Sequence, residues 1–247
     1  YDSQKRSNFD SNLRILMPDG SRKTVDVRTL AITRFAENES HSEGLYSVAF
    51  AGTEGVGPDL NHPHFLHGLK LWQTHYALRV QLPTMLMENV QIDHAAYGVY
   101  RPRFENHVYR NISIAATGTE PFNRGLDDRS AQHGSITVDG LAFSKIGYGG
   151  NMPLIQISAN NLSGQAESHF RKVTVQGRDP KRPGRWPLMN LGGGPRLKPS
   201  TPKGVPYFIH DYFGPGKHAK VISSRAKDLL ADGNKYRKEN GLTGNES

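Results

Sequence analysis

The sequence predicts an all-β fold, a parallel β-helix of stacked units with an N-terminal strand pair and a short C-terminal helix. Three observations predict it. Five short segments share one pattern: Gly68-Leu69-Lys70-Leu71, Asn89-Val90-Gln91-Ile92, Asn111-Ile112-Ser113-Ile114, Gly140-Leu141-Ala142-Phe143 and Lys172-Val173-Thr174-Val175. In each, two large apolar residues flank a smaller or polar one, so both apolar side chains fall on one side of a strand. The segments start 21, 22, 29 and 32 residues apart, a period that marks stacked repeats, each with an apolar stripe it cannot bury alone. Finally, 26 Gly and 15 Pro supply the many turns such a fold needs.

The elements follow in order. Residues 1–12 are polar and read as a frayed start. Leu13-Arg14-Ile15-Leu16 and Thr24-Val25-Asp26-Val27 flank the turn signal Pro18-Asp19-Gly20-Ser21, so they read as a hairpin or as two edge strands covering the open end of the stack. Residues 45–51 form a further strand, and 52–63 a Gly/Pro-rich excursion. Each later unit holds a repeated strand, a bend and a second strand, the latter at 77–80, 98–101, 154–158 and 188–191. Shorter third strands precede the repeats at 84–87, 107–109 and 168–171. Strands joined by bends rather than helices fit a β-helix better than a leucine-rich repeat, whose L-x-x-L-x-L-x-x-N pattern does not recur. Loops at 117–132, 147–153 and 177–187 interrupt the later units. Residues 225–236, after Ser223-Ser224, read as a terminal helix with Ala226, Leu229, Leu230 and Ala231 on its apolar face. The 247 residues are thus read as one domain: strands and cap over 1–44, coils over 45–194, and a basic extension over 195–247.

Composition narrows the function. No apolar run approaches the roughly 20 residues needed to span a bilayer, so no membrane insertion is expected. With no cysteine, disulfides, thiol catalysis and Cys-based zinc sites are excluded together. The chain lacks an initial Met and a charged-then-apolar leader, which reads as a mature form or an excised fragment. Net charge is +8, unevenly placed: residues 171–238 carry sixteen Lys/Arg against four Asp/Glu, a local +12 that leaves about −4 elsewhere. Such a basic third suits a polyanion or an acidic neighbouring domain. Nucleic acid is disfavoured, because no helix-turn-helix, zinc-finger or RNP pattern accompanies the charge.

Chemistry-bearing residues fall in three places. The outward positions of the repeats, Lys70, Gln91, Ser113, Ala142 and Thr174, then Trp72, Asp93, Ala115, Ser144 and Gln176, form a polar face with an aromatic at one end. His94 lies beside Asp93, which can orient its imidazole if a bend brings the two together. Tyr76 and Tyr97 occupy equivalent positions and are expected to stack, stabilising the core or a corner. The densest polar cluster spans 120–133, read as a loop with Glu120, Arg124, Asp127, Asp128, Arg129 and His133. Paired carboxylates there suit glycoside hydrolysis. A lyase would instead use His, Lys or Arg to take the proton beside a uronate carboxyl, with a cation such as Ca2+ neutralising that group. A loop held by Asp–Arg pairs with no chemistry is the alternative. Asp127, Asp128, His94 and His133 are the catalytic candidates. Arg101, Arg103, Arg124 and Arg129 would hold anionic groups, and Trp72 or Tyr100 would offer a sugar platform. His107 is a secondary candidate. No metal site is assigned: His62, His64 and His67 are close in sequence, but Pro63 and the following strand scatter their directions.

The phrases GVGPDLNHPHFLHGLKLWQTHYALR, MLMENVQIDHAAYGVYRPRFENHVYRNI, EPFNRGLDDRS and HDYFGPGKHAKVISSRAKDLLADG resemble the β-helical portion of large secreted bacterial proteins, many planctomycetal, that carry a G8 domain. The resemblance spans roughly 36–244. It implies a right-handed parallel β-helix, export to the periplasm, cell surface or medium, and an acidic polysaccharide as partner. No G8 domain is visible here, and no established catalytic motif lies in the matching phrases. The expected function is an extracytoplasmic module that binds an acidic polysaccharide, with cleavage as a lyase or hydrolase left open. The rival is a non-enzymatic scaffold or adhesion module of a larger secreted protein, docking through its basic C-terminal region.

Overall fold

The structure is a computed structural model that describes residues 12–51, 57–100, 102, 106–118, 120–124, 135–146, 154–157, 168–176, 189–191, 205–211, 216 and 218–223. The described chain is all-β apart from one turn of 3-10 helix at Val27–Thr29. Its strands are β1 (Asn12–Leu16), β2 (Arg22–Asp26), β3 (Phe35–Ala36), β4 (Glu39–His41), β5 (Tyr46–Ala51), β6 (His64–His67), β7 (Lys70–Gln81) and β8 (Met85–Tyr100). They continue as β9 (His107–Ala115), β10 (Glu120–Arg124), β11 (Ile136–Ser144), β12 (Ile155–Ile157), β13 (Ser168–Gln176), β14 (Met189–Leu191), β15 (Val205–His210) and β16 (His218–Ser223).

Parallel pairing sorts these strands into three ladders. The first runs through β3, β6, the start of β8, the starts of β9, β11 and β13, and β15. The second runs through β4, the start of β7, the middle of β8, and the ends of β9, β11 and β13. The third runs through β5, the ends of β7 and β8, then β10, β12 and β14. Where separate short strands were expected, β7 and β8 pass continuously through the bend and serve two or three ladders each.

The bends have a specific backbone origin. Between the first and second ladders, Glu37, Gly68, Asn89, Asn111, Gly140, Lys172 and Asp211 fall in one column, and all have φ between 51° and 80°. Between the second and third, Ser42, Gln73, His94, Ala116 and Lys145 form another, with φ between 49° and 56°. Left-handed backbone costs a non-glycine residue of order 1–2 kcal/mol. It persists here because ladder hydrogen bonds pin the strand on each side. The first residue of every sequence repeat is thus a left-handed corner.

The two apolar residues after that corner point inward. Leu69, Val90, Ile112, Leu141 and Val173 make one buried row, and Leu71, Ile92, Ile114 and Phe143 the next. The first ladder adds Leu66, Met87, Tyr109, Val138, Phe170 and Ile209, and the third adds Leu78, Val99, Phe122 and Ile155. Fully burying each such side chain is worth roughly 1.5–3 kcal/mol, so successive units are held chiefly by these rows. Outward ion pairs link some units, Arg110 Nη1 to Glu88 Oε1 at 2.7 Å and Lys172 Nζ to Asp139 Oδ1 at 3.0 Å. Both are half-exposed and contribute little.

At the N-terminus β1 and β2 form the expected antiparallel hairpin, closed at Met17–Gly20 and with Gly20 at φ 82°. It is a separate two-stranded sheet whose Leu13 and Leu16 are exposed, 47% and 63%. β16 pairs antiparallel with β15, a hairpin the sequence reading did not contain. The expected terminal helix at 225–236 lies outside the described residues. Among the described residues no helix is long and apolar enough to cross a membrane.

Candidate functional site

Several expected site residues lie outside the described ones: Arg101, Arg103, Asp127, Asp128, Arg129 and His133. Arg124 ends β10, and its side chain too lies outside the description. The segment that opens the 120–133 cluster is a strand rather than a loop. Glu120 is 3% exposed and accepts a hydrogen bond from Asn123 Nδ2. It takes this form because Phe122, between the two, is an inward residue of the third ladder and aligns with Val99.

His107 is also placed differently from its expected role. It sits inside the stack, 1% exposed, on the ladder row of Met85 and Ile136. Its Nε2–H donates to the Leu82 carbonyl, so Nδ1 accepts the Tyr109 hydroxyl at 2.8 Å. Both nitrogens are used structurally. The three histidines at 62–67 are drawn apart. His62 Nδ1 lies 2.9 Å from Asp59 Oδ1, and this pairing lowers the Asp59 pKa. His64 is fully buried with Nδ1 accepting the Ile32 N–H, and burial pushes its pKa down to about 4. His67 contacts Glu37 and Asn89 at the first corner. Among the described residues no group of three His, Cys, Asp or Glu could hold a metal ion.

Of the remaining candidates, His94 stands at the second corner, Trp72 precedes the same corner one unit earlier, and Tyr100 ends β8 on the third ladder. His94 occupies that corner at φ 50°, and the reversal brings its Nδ1 to 2.8 Å from Asp93 Oδ1. In a regular strand neighbours diverge, so the left-handed backbone creates the pair. A carboxylate only accepts, so this contact favours the Nδ1–H tautomer and leaves Nε2 with its lone pair. Both side chains are exposed, 66% for His94 and 51% for Asp93.

Next to this pair is an open hollow of about 520 Å³ lined by His94, Ala95, Ala96, Ala116 and Gly118. Its cause is side-chain size. The unit containing β8 carries Asp93 and His94, while the next carries Ala115 and Ala116 in the neighbouring positions and Gly118 beside Ala95 and Ala96. Bulky outward residues followed by small ones leave a notch.

Beyond the notch lies an aromatic cluster. Tyr46, Tyr76 and Tyr97 are register partners on the third ladder, with ring centroids 5.1 and 4.6 Å apart and rings stacked. The expected Tyr76–Tyr97 stack is present, but it flanks the outside of the ladder, half-buried, and is not part of the interior. The outward position arises because Ala77 with Leu78, and Gly98 with Val99, are consecutive buried pairs that break the alternation. Tyr100 lies across the stack, 4.5 Å from Tyr76 and tilted 44°. His75 meets Tyr76 edge-on at 4.4 Å. Arg79 caps the far end, donating to the Tyr46 hydroxyl at 2.8 Å and sitting over its ring at 5.2 Å. On the second ladder His41 stacks on Trp72 at 4.5 Å, covering one face of the indole. Stacked columns use ring faces on each other, so they present edges and hydroxyls outward. Tyr100 is an expected platform residue, whereas Tyr46 and His75 were missed as site members, since their meeting with it depends on register and on a corner no sequence signal marks.

Comparison with protein-family models, with curated proteins and with solved structures gives no match.

Proposed function

We propose that this chain is a right-handed parallel β-helix module of a secreted protein and that it binds an acidic polysaccharide across the second corner and third ladder. The observation that carries the reading is the half-exposed tyrosine cluster of Tyr46, Tyr76, Tyr97 and Tyr100 beside the hollow at His94. Tyrosine joins an apolar ring to a polar tip, which suits sugars, whose surfaces alternate C–H faces and hydroxyls. The acidic character is favoured by the donors and cations around it, His75, Arg79, His94 and, on the same corner column, Lys145. The three ladders and two corner columns support a winding chain, and the β-helical resemblance of the sequence supports its handedness and export. Affinity electrophoresis of the purified chain in polygalacturonate, alginate, hyaluronan and a neutral glucan tests it. Retardation by a uronate polymer and not by the glucan is expected; equal mobility in all four defeats the reading.

A scaffold role has one observation in its favour. Among the described residues the exposed large apolar side chains, Leu13, Leu16, Leu30, Leu45 and Leu60, all belong to the first sixty positions. They suit an interface with another part of a larger protein at that end of the chain.

A further inference from the structure

We propose that the hollow at the second corner is a proton-abstraction site, with His94 as the base and Lys145 holding the carboxylate of a uronate residue. This deepens the polysaccharide-binding reading and rests on it. Three placements lead to it. His94 Nδ1 is 2.8 Å from Asp93 Oδ1, which holds the imidazole in the tautomer whose exposed Nε2 can accept a proton. The hollow beside it has a floor of small side chains, Ala95, Ala96 and Ala116, so a ring can come close to Nε2. Lys145 is exposed and follows His94 and Ala116 in the same corner column. Two strand spacings put its Cα about 10 Å from that of His94, a gap that the two side chains and one sugar ring can fill.

The chemistry is β-elimination. Lys145 pairs with the uronate carboxylate and stabilises the negative charge that develops there. His94 Nε2 takes the proton from the carbon bearing the carboxylate. The C–H electron pair becomes the new C=C bond, and the bond from the neighbouring carbon to the glycosidic oxygen breaks. The departing oxygen takes a proton from water and the imidazolium returns its own to water. The products are a chain with an unsaturated uronate end and a chain with a free hydroxyl. Asp93 is a positioning residue that orients the imidazole.

The test measures binding and cleavage separately on the full chain, with polygalacturonate, alginate and hyaluronan. Binding is read by affinity electrophoresis and cleavage by ultraviolet absorbance of unsaturated ends. His94→Gln is suited to folding, since Gln73 holds the same left-handed position one unit earlier at φ 52°. It should lose the absorbing product by about 100-fold or more and keep its retardation. Gly118→Phe, whose new Cβ would lie 4.0 Å from Ala96 Cα, should fill the hollow and lose product too. Asp93→Asn, which no longer fixes the imidazole, should lower kcat of cleavage with little change in KM. Retardation without unsaturated ends on any polymer overturns this inference alone, as does a His94→Gln variant with the wild-type rate. No retardation on any polymer overturns the binding reading and this inference with it.

Discussion

Asn111 Nδ2 donates to Asn89 Oδ1 at 3.1 Å, joining the same corner of two successive units. The bond is one step of a polarised chain. Asn89 Nδ2 donates to His67 Nε2 at 2.9 Å, and His67 Nδ1–H donates to Glu37 Oε1 at 3.0 Å. Each of these residues stands at or beside a left-handed corner, so the chain aligns strained positions across four units. Asparagine tolerates that backbone better than most residues, and its amide both donates and accepts. Asn111→Ala keeps the strained φ of 55° and loses the bond. It should destabilise the fold by about 1–2 kcal/mol, read from urea unfolding. Asn111→Gly loses the same bond but relieves the backbone and should cost less; equal losses would show that strain is not what the corner resists.

Gly98 is fixed by the neighbouring strand. A Cβ there would lie 2.2 Å from the Pro121 carbonyl oxygen and 3.3 Å from Ile114 Cγ2. The first obstacle is backbone of β10, which cannot rotate away as a side chain can. Gly98→Ala should cost about 1–3 kcal/mol or more and should loosen the third ladder between β8 and β10. Gly118→Ala, with 4.0 Å to its nearest neighbour, is the matched control and should be close to neutral. A urea midpoint for Gly98→Ala equal to that of the control would contradict this packing.

The rows built from Leu69 to Val173 were legible because inward residues alternate with tolerant outward ones, and burial alone dictates that pattern. The corners were half legible. Glycine at 68 and 140 and asparagine at 89 and 111 belong to left-handed backbone, whereas Gln73, Lys145 and Lys172 carry no such signal and are forced there by the strands they join. The Tyr76–Tyr97 stack could be read from equivalent positions. Its outward placement could not, because the consecutive buried pairs Ala77–Leu78 and Gly98–Val99 suspend the alternation that the reading relied on. The His94–Asp93 contact depended on a bend, and histidine at φ 50° provides it. Asp127 and Asp128 are adjacent in sequence, but alternation and burial carry no information about which way a long insertion turns.

His64 makes the fold sensitive to acid. Desolvation in its fully buried position lowers the folded pKa to about 4 from the ordinary 6.5 of a histidine. The unfolded chain therefore takes up a proton near pH 6.5 that the folded chain refuses until about pH 4. The stability from this group is complete above pH 6.5 and falls as pH drops to about 4, by up to about 3 kcal/mol at 1.4 kcal/mol per pH unit. Thermal unfolding from pH 7 to 4.5 should show this slope. His64→Phe removes the titration, although it also gives up the bond from the Ile32 N–H, so it should start lower and decline less. A variant with the wild-type slope would assign the acid sensitivity elsewhere.

Tyr76 separates the structural role of the tyrosine cluster from its binding role. Tyr46 covers one face of its ring at 5.1 Å and Tyr97 the other at 4.6 Å. A ligand can therefore meet only the ring edge and the hydroxyl. Tyr76→Ala empties the middle of the stack, with a loss of about 2–3 kcal/mol from buried area and ring contacts together. Tyr76→Phe preserves both stacks and should leave stability within about 0.5 kcal/mol. If the polysaccharide lies across this cluster, the missing hydroxyl should still weaken uronate-polymer binding by about 2- to 12-fold, the worth of one hydrogen bond. Stability and affinity then respond to different variants of one residue. A Tyr76→Phe chain with unchanged affinity would mean that the outward edge of the stack touches no sugar, and that the cluster serves only to hold the units together.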